Sequence, residues 1–185
     1  MSDQGTQGLL SPWLRRHRLA AAKPHLKGSV LDFGCGSGAL AAWVAPGDYV
    51  GYDVDAASID RARSLHPAHT FMQSLPADRM FDRVVSLAVI EHMPDPPGFL
   101  TQLASFAKPG GQIVLTTPNP RFDFLHHYGS AVGLFSHDAS EEHVSLLDHA
   151  GLLALASQLA LNVVEYSRFL LGANQLLVLE KPSSH

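Results

Sequence analysis

Short apolar segments alternate with segments of helical periodicity through the first two thirds of the chain, and this alternation restricts the fold most. We interpret the apolar segments as buried strands at 29–33, 48–53, 70–72, 81–89 and 112–117. Helices are predicted around and between them, at 11–22, 38–44, 56–65 and 97–107. Strands joined through helices form a parallel sheet that is covered on both faces. Ligands of such sheets bind beyond the carboxyl ends of the strands.

The last third of the chain predicts a different sheet edge. A helix at 148–160 is followed by two further strands at 162–169 and 175–180. The glycine-containing segment 172–174 between those strands allows a hairpin, which makes the edge antiparallel. The predicted fold class is therefore α/β, a Rossmann-like doubly wound sheet that is mostly parallel and has an antiparallel C-terminal hairpin strand. We expect residues 1–185 to form a single domain, with 1–10 disordered and 118–140 forming a lid.

The composition argues against several classes of protein. A formal net charge of −4 does not favour nucleic acid or an anionic membrane surface as the partner. The single cysteine allows no internal disulfide and suits a reducing, cytoplasmic location. We see no apolar secretory leader, and the longest apolar stretch, 151–161, is far shorter than the ~20 residues of a membrane span. We interpret the short basic cluster on the first helix as a solvated face, formed by Arg15, Arg16, His17 and Arg18.

A glycine-rich segment directly follows the first strand. Glycines there let the chain turn sharply and let a ligand approach the backbone, because no Cβ intervenes. Asp53 ends the next strand, about 20 residues after Gly34, where an acid can accept hydrogen bonds from a ribose diol. Asp32 lies just before Gly34 inside an apolar strand, where a carboxylate is costly unless something pairs with it. Asp32 would repel a pyrophosphate but could attract a cationic ammonium or sulfonium group.

The spacing of Gly34, Gly36 and Ala39 also meets the fingerprint of dinucleotide-binding enzymes formally. The acidic residue beside the loop argues against a nicotinamide dinucleotide, because its charge repels pyrophosphate. Little chain remains after the fifth strand for a substrate-binding segment. We therefore keep an NAD-type enzyme only as a less favoured alternative.

With these motifs in view, the chain resembles the class I S-adenosylmethionine (SAM)-dependent methyltransferases, in particular the small bacterial group similar to ubiquinone-pathway methyltransferases. The resemblance extends from about Val30 to Asn119. It is carried by four segments in order: VLDFGCGSG, GYDVD, FDRVVSLAVIEHMPDP and KPGGQIVLTTPN. It implies that SAM is the cofactor and that a methyl group is passed to a small-molecule acceptor.

The resemblance also implies roles for individual residues. Gly34, Gly36 and the loop around them, which includes Cys35, would line the methionine part of SAM. Asp53 would hold the ribose hydroxyls, and Val54 would lie against the adenine. The members of the family often carry an acid near the end of the third strand, whereas this chain has Gln73 and Ser74 there as substitutes. Near the sulfonium and the methionine carboxylate the resemblance places three more residues, Ser86, Leu87 and Arg18.

Catalytic candidates follow the fourth strand. Glu91 and His92 are placed to act as a general base, which typically accelerates such reactions by ~10²–10⁴-fold. The alternative is that Glu91 caps local backbone and His92 only packs the loop. His143, before the last helix, is a further candidate that could face the acceptor.

The region 118–140 is rich in rings that either cover an acceptor pocket or only anchor the segment to the sheet; these are Phe122, Phe124, Tyr128 and Phe135. Histidines 126, 127, 137, 143 and 149 match no metal-binding spacing, so no metal is expected. The acceptor and the oligomeric state stay open. A SAM-binding sensor or partner subunit without transferase activity is the alternative function.

Overall fold

The computed structural model describes residues 11–75, 79–120 and 147–183. Within them, seven strands form one sheet in the order β3-β2-β1-β4-β5-β7-β6. Their bounds are β1 Val30–Phe33, β2 Tyr49–Tyr52, β3 Thr70–Met72, β4 Phe81–Leu87, β5 Ala107–Pro118, β6 Asn162–Phe169 and β7 Asn174–Glu180. The strands from β3 to β5 are parallel, whereas β7 is antiparallel to both β5 and β6. This arrangement confirms the predicted fold class.

The strand order reverses at β1, which lies between β2 and β4. Asp32 of β1 is aligned with Gly51 of β2 on one side and with Val85 of β4 on the other. The chain leaves β1 toward β2 and returns to the opposite side of β1 to form β4. A crevice therefore opens at the carboxyl ends of β1 and β4, which is where ligands of open parallel sheets bind.

Four α-helices cover the described sheet: α1 Ser11–Ala22, α2 Ala56–Leu65, α3 Pro96–Phe106 and α4 His149–Gln158. The last three are preceded by the capping residues Asp55, Asp95 and Asp148, whose side chains accept hydrogen bonds from the backbone N–H three residues on. None of the helices in the described ranges is long and apolar enough to cross a membrane.

Alternate residues of each strand build two apolar cores on opposite faces of the sheet. On one face α3 and α4 pack against strand residues that include Leu31, Val84 and Ile113. On the other face α1 and α2 pack against residues that include Val30 and Val85. Helices on both faces account for the continuous burial of β1, which has no solvent-facing side.

One predicted helix is wrong in type. The segment predicted as a helix at 38–44 is a 3-10 helix, Ala39–Trp43, preceded by Gly38 in the left-handed region. Only a few residues separate that glycine from Pro46, which is too short for a stable α-helical nucleus. The expected disordered start at 1–10 and most of the expected lid at 118–140 lie outside the described residues.

Candidate functional site

The glycine loop after β1 is held against the end of β2. The backbone N–H groups of Gly34 and Cys35 both donate to the carbonyl of Tyr52, at 2.8 and 3.0 Å. Gly34, Gly36 and Gly38 all have positive φ angles, of 80°, 51° and 77°. Side-chain-bearing residues rarely adopt this conformation, so the turn depends on glycine.

The three glycines differ in what surrounds them. A Cβ on Gly34 would lie 2.6 Å from Cγ2 of Val89, and a Cβ on Gly38 would lie 2.6 Å from Cε1 of Phe71. A Cβ on Gly36 would meet no atom of the described residues within 4 Å. Gly34 and Gly38 therefore permit close packing within the protein, whereas Gly36 faces open space that a ligand can use.

Asp53 lies beside that open space. Its Oδ2 accepts a hydrogen bond from the N–H of Gly36 at 2.8 Å, and its Oδ1 accepts from the N–H of Asp55 at 3.0 Å. Its own N–H donates to the carbonyl of Met72 at 3.2 Å, which joins it to β3. Each carboxylate oxygen has two acceptor positions, so both can accept one more hydrogen bond from a ligand.

Asp32 is the second acid at the carboxyl end of the sheet, and it is only 3% exposed. Its Oδ2 accepts a hydrogen bond of 2.7 Å from the hydroxyl of Tyr49. Burial and the nearby charge of Asp53 raise the pKa of Asp32 to about 7, although Tyr49 and Arg15 oppose that rise. The carboxyl group therefore titrates close to neutral pH.

Two arginines of α1 reach this end of the sheet. Arg15 donates from Nη2 to Oγ of Ser37 in the glycine loop, at 2.8 Å. Arg18 donates from Nε to Oδ1 of Asn174 at the start of β7, at 2.9 Å. The solvated face predicted for this basic cluster is therefore wrong for these two residues, which contact the sheet edge through long side chains.

A second buried acid follows β4. Glu91 is 3% exposed and lies in the 3-10 helix Ile90–His92. Its Oε2 accepts a hydrogen bond of 3.1 Å from the hydroxyl of Thr117. Burial raises the pKa of Glu91, while the charge of Arg18 acts in the opposite direction.

The turn between β4 and this 3-10 helix has an unusual backbone. Ala88 has a φ of 57°, which is uncommon for a residue with a side chain. Its N–H donates to the carbonyl of Thr116 in β5 at 2.9 Å. Backbone of this kind clusters at functional sites, where the surrounding structure holds it. His92, the last residue of that 3-10 helix, is half-buried.

The other predicted cofactor residues differ in exposure. Ser86 and Cys35 are buried, and Oγ of Ser86 has no hydrogen-bond partner within the part of the chain described by the structure. Leu87 is half-buried, whereas Gln73 and Ser74 are exposed and Val54 is 63% exposed.

The remaining predicted residues are the single thiol, the histidines and the rings of the lid. Burial raises the pKa of the Cys35 thiol far above its usual range. His143 and the four rings of the predicted lid lie outside the described residues. His149 stacks on Tyr166 at 4.0 Å between ring centroids. The described ranges contain no group of three potential metal ligands.

The structure thus brings two groups of predicted residues together at the carboxyl end of the sheet. One group is Asp32, the glycine loop and Asp53, and the other is Glu91, His92 and Arg18. Sequence reasoning missed Arg15 and Tyr49 as parts of this edge. Arg15 and Arg18 are three residues apart and so share one helix face, a signal that could have marked both. Tyr49 and Gly51 are two residues apart in β2 and therefore lie on the same face of that strand, which could have marked Tyr49 in the same way.

Fold and loop together define a Rossmann-like α/β protein whose parallel sheet ends in an antiparallel hairpin. The chain belongs to the family of methyltransferase domains, which matches residues 7–166. This confirms the resemblance to class I SAM-dependent methyltransferases, and the family match leaves no support for an NAD-type enzyme.

Individual relatives agree with this family. The chain is 31% identical over 120 residues to the ubiquinone biosynthesis O-methyltransferase of Stutzerimonas stutzeri, covering 58% of this chain and 49% of the relative. It is 30% identical over 122 residues to a fatty-acid O-methyltransferase of Mycolicibacterium smegmatis, covering 60% of this chain and 44% of the relative. The chain thus matches about half the length of these relatives.

A solved structure has the same fold. The magnesium protoporphyrin IX methyltransferase from Synechocystis PCC 6803, with bound SAH, superposes with a TM-score of 0.70. The superposition covers 96% of this chain and 89% of that one at 16% identity.

Proposed function

We propose that this chain binds SAM at the carboxyl ends of β1, β2 and β4 and transfers its methyl group to a small-molecule acceptor. One observation carries the proposal: Gly36 faces open space directly beside the carboxylate of Asp53, with buried Asp32 nearby. A cationic sulfonium compound that carries a ribose suits an open backbone loop flanked by two acids. The family match over 7–166 supports one methyltransferase domain.

In this proposal Asp53 accepts hydrogen bonds from the ribose hydroxyls. Its two oxygens are already fixed by backbone N–H groups, so the carboxylate needs no reorganisation to accept further hydrogen bonds. Val54, which follows it and is exposed, would cover one face of the adenine. Gln73 and Ser74, exposed just beyond β3, are the polar groups available to the adenine amino group.

The methionine part would occupy the glycine loop between Gly34 and Gly36, next to Cys35. Asp32 faces its ammonium group and α1 supplies the cation for its carboxylate. The sequence resemblance assigns that cation to Arg18, while the contact of Arg15 with Ser37 makes Arg15 an equally suitable partner. Ser86 and Leu87, at the end of β4, would lie near the sulfonium.

When bound, SAM supplies an already activated methyl group. The chain then has to align the acceptor with that group, and orientation of this kind contributes ~7–11 kcal/mol at most. An oxygen acceptor also has to lose a proton, and His92 is placed one turn beyond β4 to take it as general base. Buried Glu91 positions this turn through Thr117. The names of the two relatives support an oxygen nucleophile on a small molecule.

Calorimetry with purified protein tests the binding part of the proposal. We expect SAM and its demethylated product, SAH, to bind with similar stoichiometry, while NAD produces no heat. A folded protein that binds neither SAM nor SAH would exclude the proposal. Transfer of a radiolabelled methyl group to a panel of phenols and carboxylic acids then separates an enzyme from a non-catalytic SAM sensor, because only the enzyme labels an acceptor.

A further inference from the structure

Tyr49 begins β2 at the end of the sheet opposite to the glycine loop, and its side chain is only 1% exposed. In the sheet register Tyr49 is aligned with Val30, and Asp32 is aligned with Gly51. Tyr49 and Asp32 are therefore diagonal neighbours on one face, a separation that a long aromatic side chain can bridge. The hydroxyl of Tyr49 reaches the carboxyl end of the sheet and donates to Oδ2 of Asp32 at 2.7 Å.

The surroundings of Tyr49 fix this direction. Its ring packs edge-on against His69 and Phe71, with centroids 5.5 and 5.6 Å away. Gly51 has no side chain, and a Cβ there would lie 2.6 Å from Cδ1 of Phe71. The ring is thus held by its neighbours, and its hydroxyl is aimed at Asp32 before any ligand binds.

The chemistry of the donor distinguishes this contact from an ordinary buried ion pair. A buried carboxylate is costly unless it is hydrogen-bonded, and a lysine or arginine would satisfy it by cancelling its charge. Tyr49 is a neutral donor, so it satisfies one oxygen of Asp32 and leaves the negative charge available for a cationic ligand. A purely structural role for Asp32 would not require the charge to be kept.

Within the described ranges, four charged or titratable groups face Asp32. Asp53 at the end of β2 repels the ionised form, and Arg15 of α1 attracts it. The Cys35 thiol lies in the adjoining loop, and burial raises its pKa, so it stays neutral. Tyr49 is the remaining group and the only one of the four that hydrogen-bonds Asp32 in the described part of the chain. Since burial brings the pKa of Asp32 to about 7, losing one donor changes its ionisation at neutral pH.

We propose that Tyr49 is a positioning residue of the proposed SAM site, which keeps Asp32 ionised and aimed at the ammonium group of the ligand. This inference rests on the proposed function. It adds to the site a residue that lies outside the glycine loop and away from the carboxyl ends of the strands.

The test is the SAM affinity of Tyr49→Phe relative to wild type, measured by calorimetry between about pH 6 and pH 9. Phenylalanine keeps the ring packing and removes only the hydroxyl. We expect about a tenfold loss of affinity at pH 7, because losing the hydrogen bond to the ionised form raises the pKa of Asp32 and leaves less of it charged. The ratio of the two affinities should approach one at pH 9, where Asp32 is ionised in both proteins. Ionisation of the ligand cancels in this ratio.

Tyr166→Phe is the matched control, since it also loses a hydrogen-bonded hydroxyl, which donates to Oε1 of Gln175 at 2.9 Å. Its affinity ratio should stay near one at every pH. A Tyr49→Phe ratio that is the same at every pH, or that stays near one throughout, would overturn the inference while the proposed function stands. A wild-type protein that binds no SAM at all would instead overturn the proposed function, and this inference with it.

Asp32→Asn gives a second, independent readout if Tyr49→Phe does not fold. Asparagine cannot ionise, so the gain in SAM affinity between pH 6 and pH 8 should disappear in this variant. Persistence of the wild-type pH profile in Asp32→Asn would contradict the inference, because another group would then be titrating.

Discussion

Asp32 in β1 and Glu91 after β4 are two buried carboxylates at the crevice between these strands, and their charge environments differ. Each is 3% exposed, each accepts a hydrogen bond from a hydroxyl group, and each has an arginine of α1 nearby. Burial raises the pKa of both acids. The charge of Asp53 adds to this rise at Asp32, whereas the charges of Arg18 and His92 oppose it at Glu91.

The difference supports the side that we propose for the cationic ligand. Asp32 and Asp53 together carry more negative charge than Arg15 can balance, and Arg15 is bonded to Ser37 rather than to either acid. Glu91 and Arg18 balance each other. The side of β1 and β2 therefore suits a cationic ligand, and the side of β4 and β5 suits the acceptor and the proton that it loses. Changes on the two sides should alter different measurements.

The largest expected effect is on the acceptor side. His92→Ala should lower methyl transfer by ~10²–10⁴-fold, because the acceptor loses its general base. SAM affinity should stay at the wild-type value. His66→Ala, at the end of α2, is the control and should leave both quantities unchanged. Wild-type turnover in His92→Ala would dismiss the role and leave His92 as a packing residue.

The next effect concerns the free energy of unfolding and its dependence on pH. Burial raises the pKa of Asp32 from 3.8 to about 7, so the folded state binds a proton that the unfolded state releases between these values. Wild type should therefore lose stability relative to Asp32→Asn as the pH rises from about 4 to 7, by up to about 4 kcal/mol. Urea titrations at several pH values measure this difference. A pH-independent difference would show that Asp32 is not the buried titrating acid.

Asp53→Ala tests the cofactor side directly. A hydrogen bond to a charged group contributes roughly 1.5–3 kcal/mol, so SAM should bind about ten- to a hundredfold more weakly. Asp60→Ala, which removes an exposed acid that pairs with Arg63 on α2, is the control and should bind SAM normally. Calorimetry that finds wild-type affinity in Asp53→Ala would remove this residue from the site.

Glu91→Gln should have the smallest effect. The amide still accepts a hydrogen bond from Thr117. Burial outweighs the attraction of Arg18 and raises the pKa of Glu91, so the regained desolvation offsets the lost attraction, and the free energy of unfolding should change by no more than about 1 kcal/mol. Glu180→Gln at the end of β7 is the control for thermal unfolding. A strong loss of SAM affinity in Glu91→Gln with unchanged stability would remove the distinction between the two acids.

The fold was largely predictable because its signals are local. The bounds of α1, α2, β3 and β6 follow from caps, prolines and apolar periodicity, and the structure has them at the same residues. The α-helix predicted at 38–44 is wrong because the segment lies between a left-handed glycine and Pro46, so only a 3-10 helix fits.

The glycine loop and its two acids were also visible in the sequence, because both occupy strand ends and have fixed spacing. The residues that surround the two acids could not be predicted in this way. Arg15 reaches Ser37 and Tyr49 reaches Asp32 only after distant segments pack together. A tyrosine at the start of a strand normally indicates core packing, and nothing in its local sequence shows that its hydroxyl meets a buried carboxylate.

A crystal structure of the chain with SAH bound would show how the ligand lies against the two acids. We expect both ribose hydroxyls to contact Asp53, the ligand to pass over Gly36, and its amino group to lie beside Asp32. SAH bound at another edge of the sheet, or bound here without contact to either acid, would contradict this expectation.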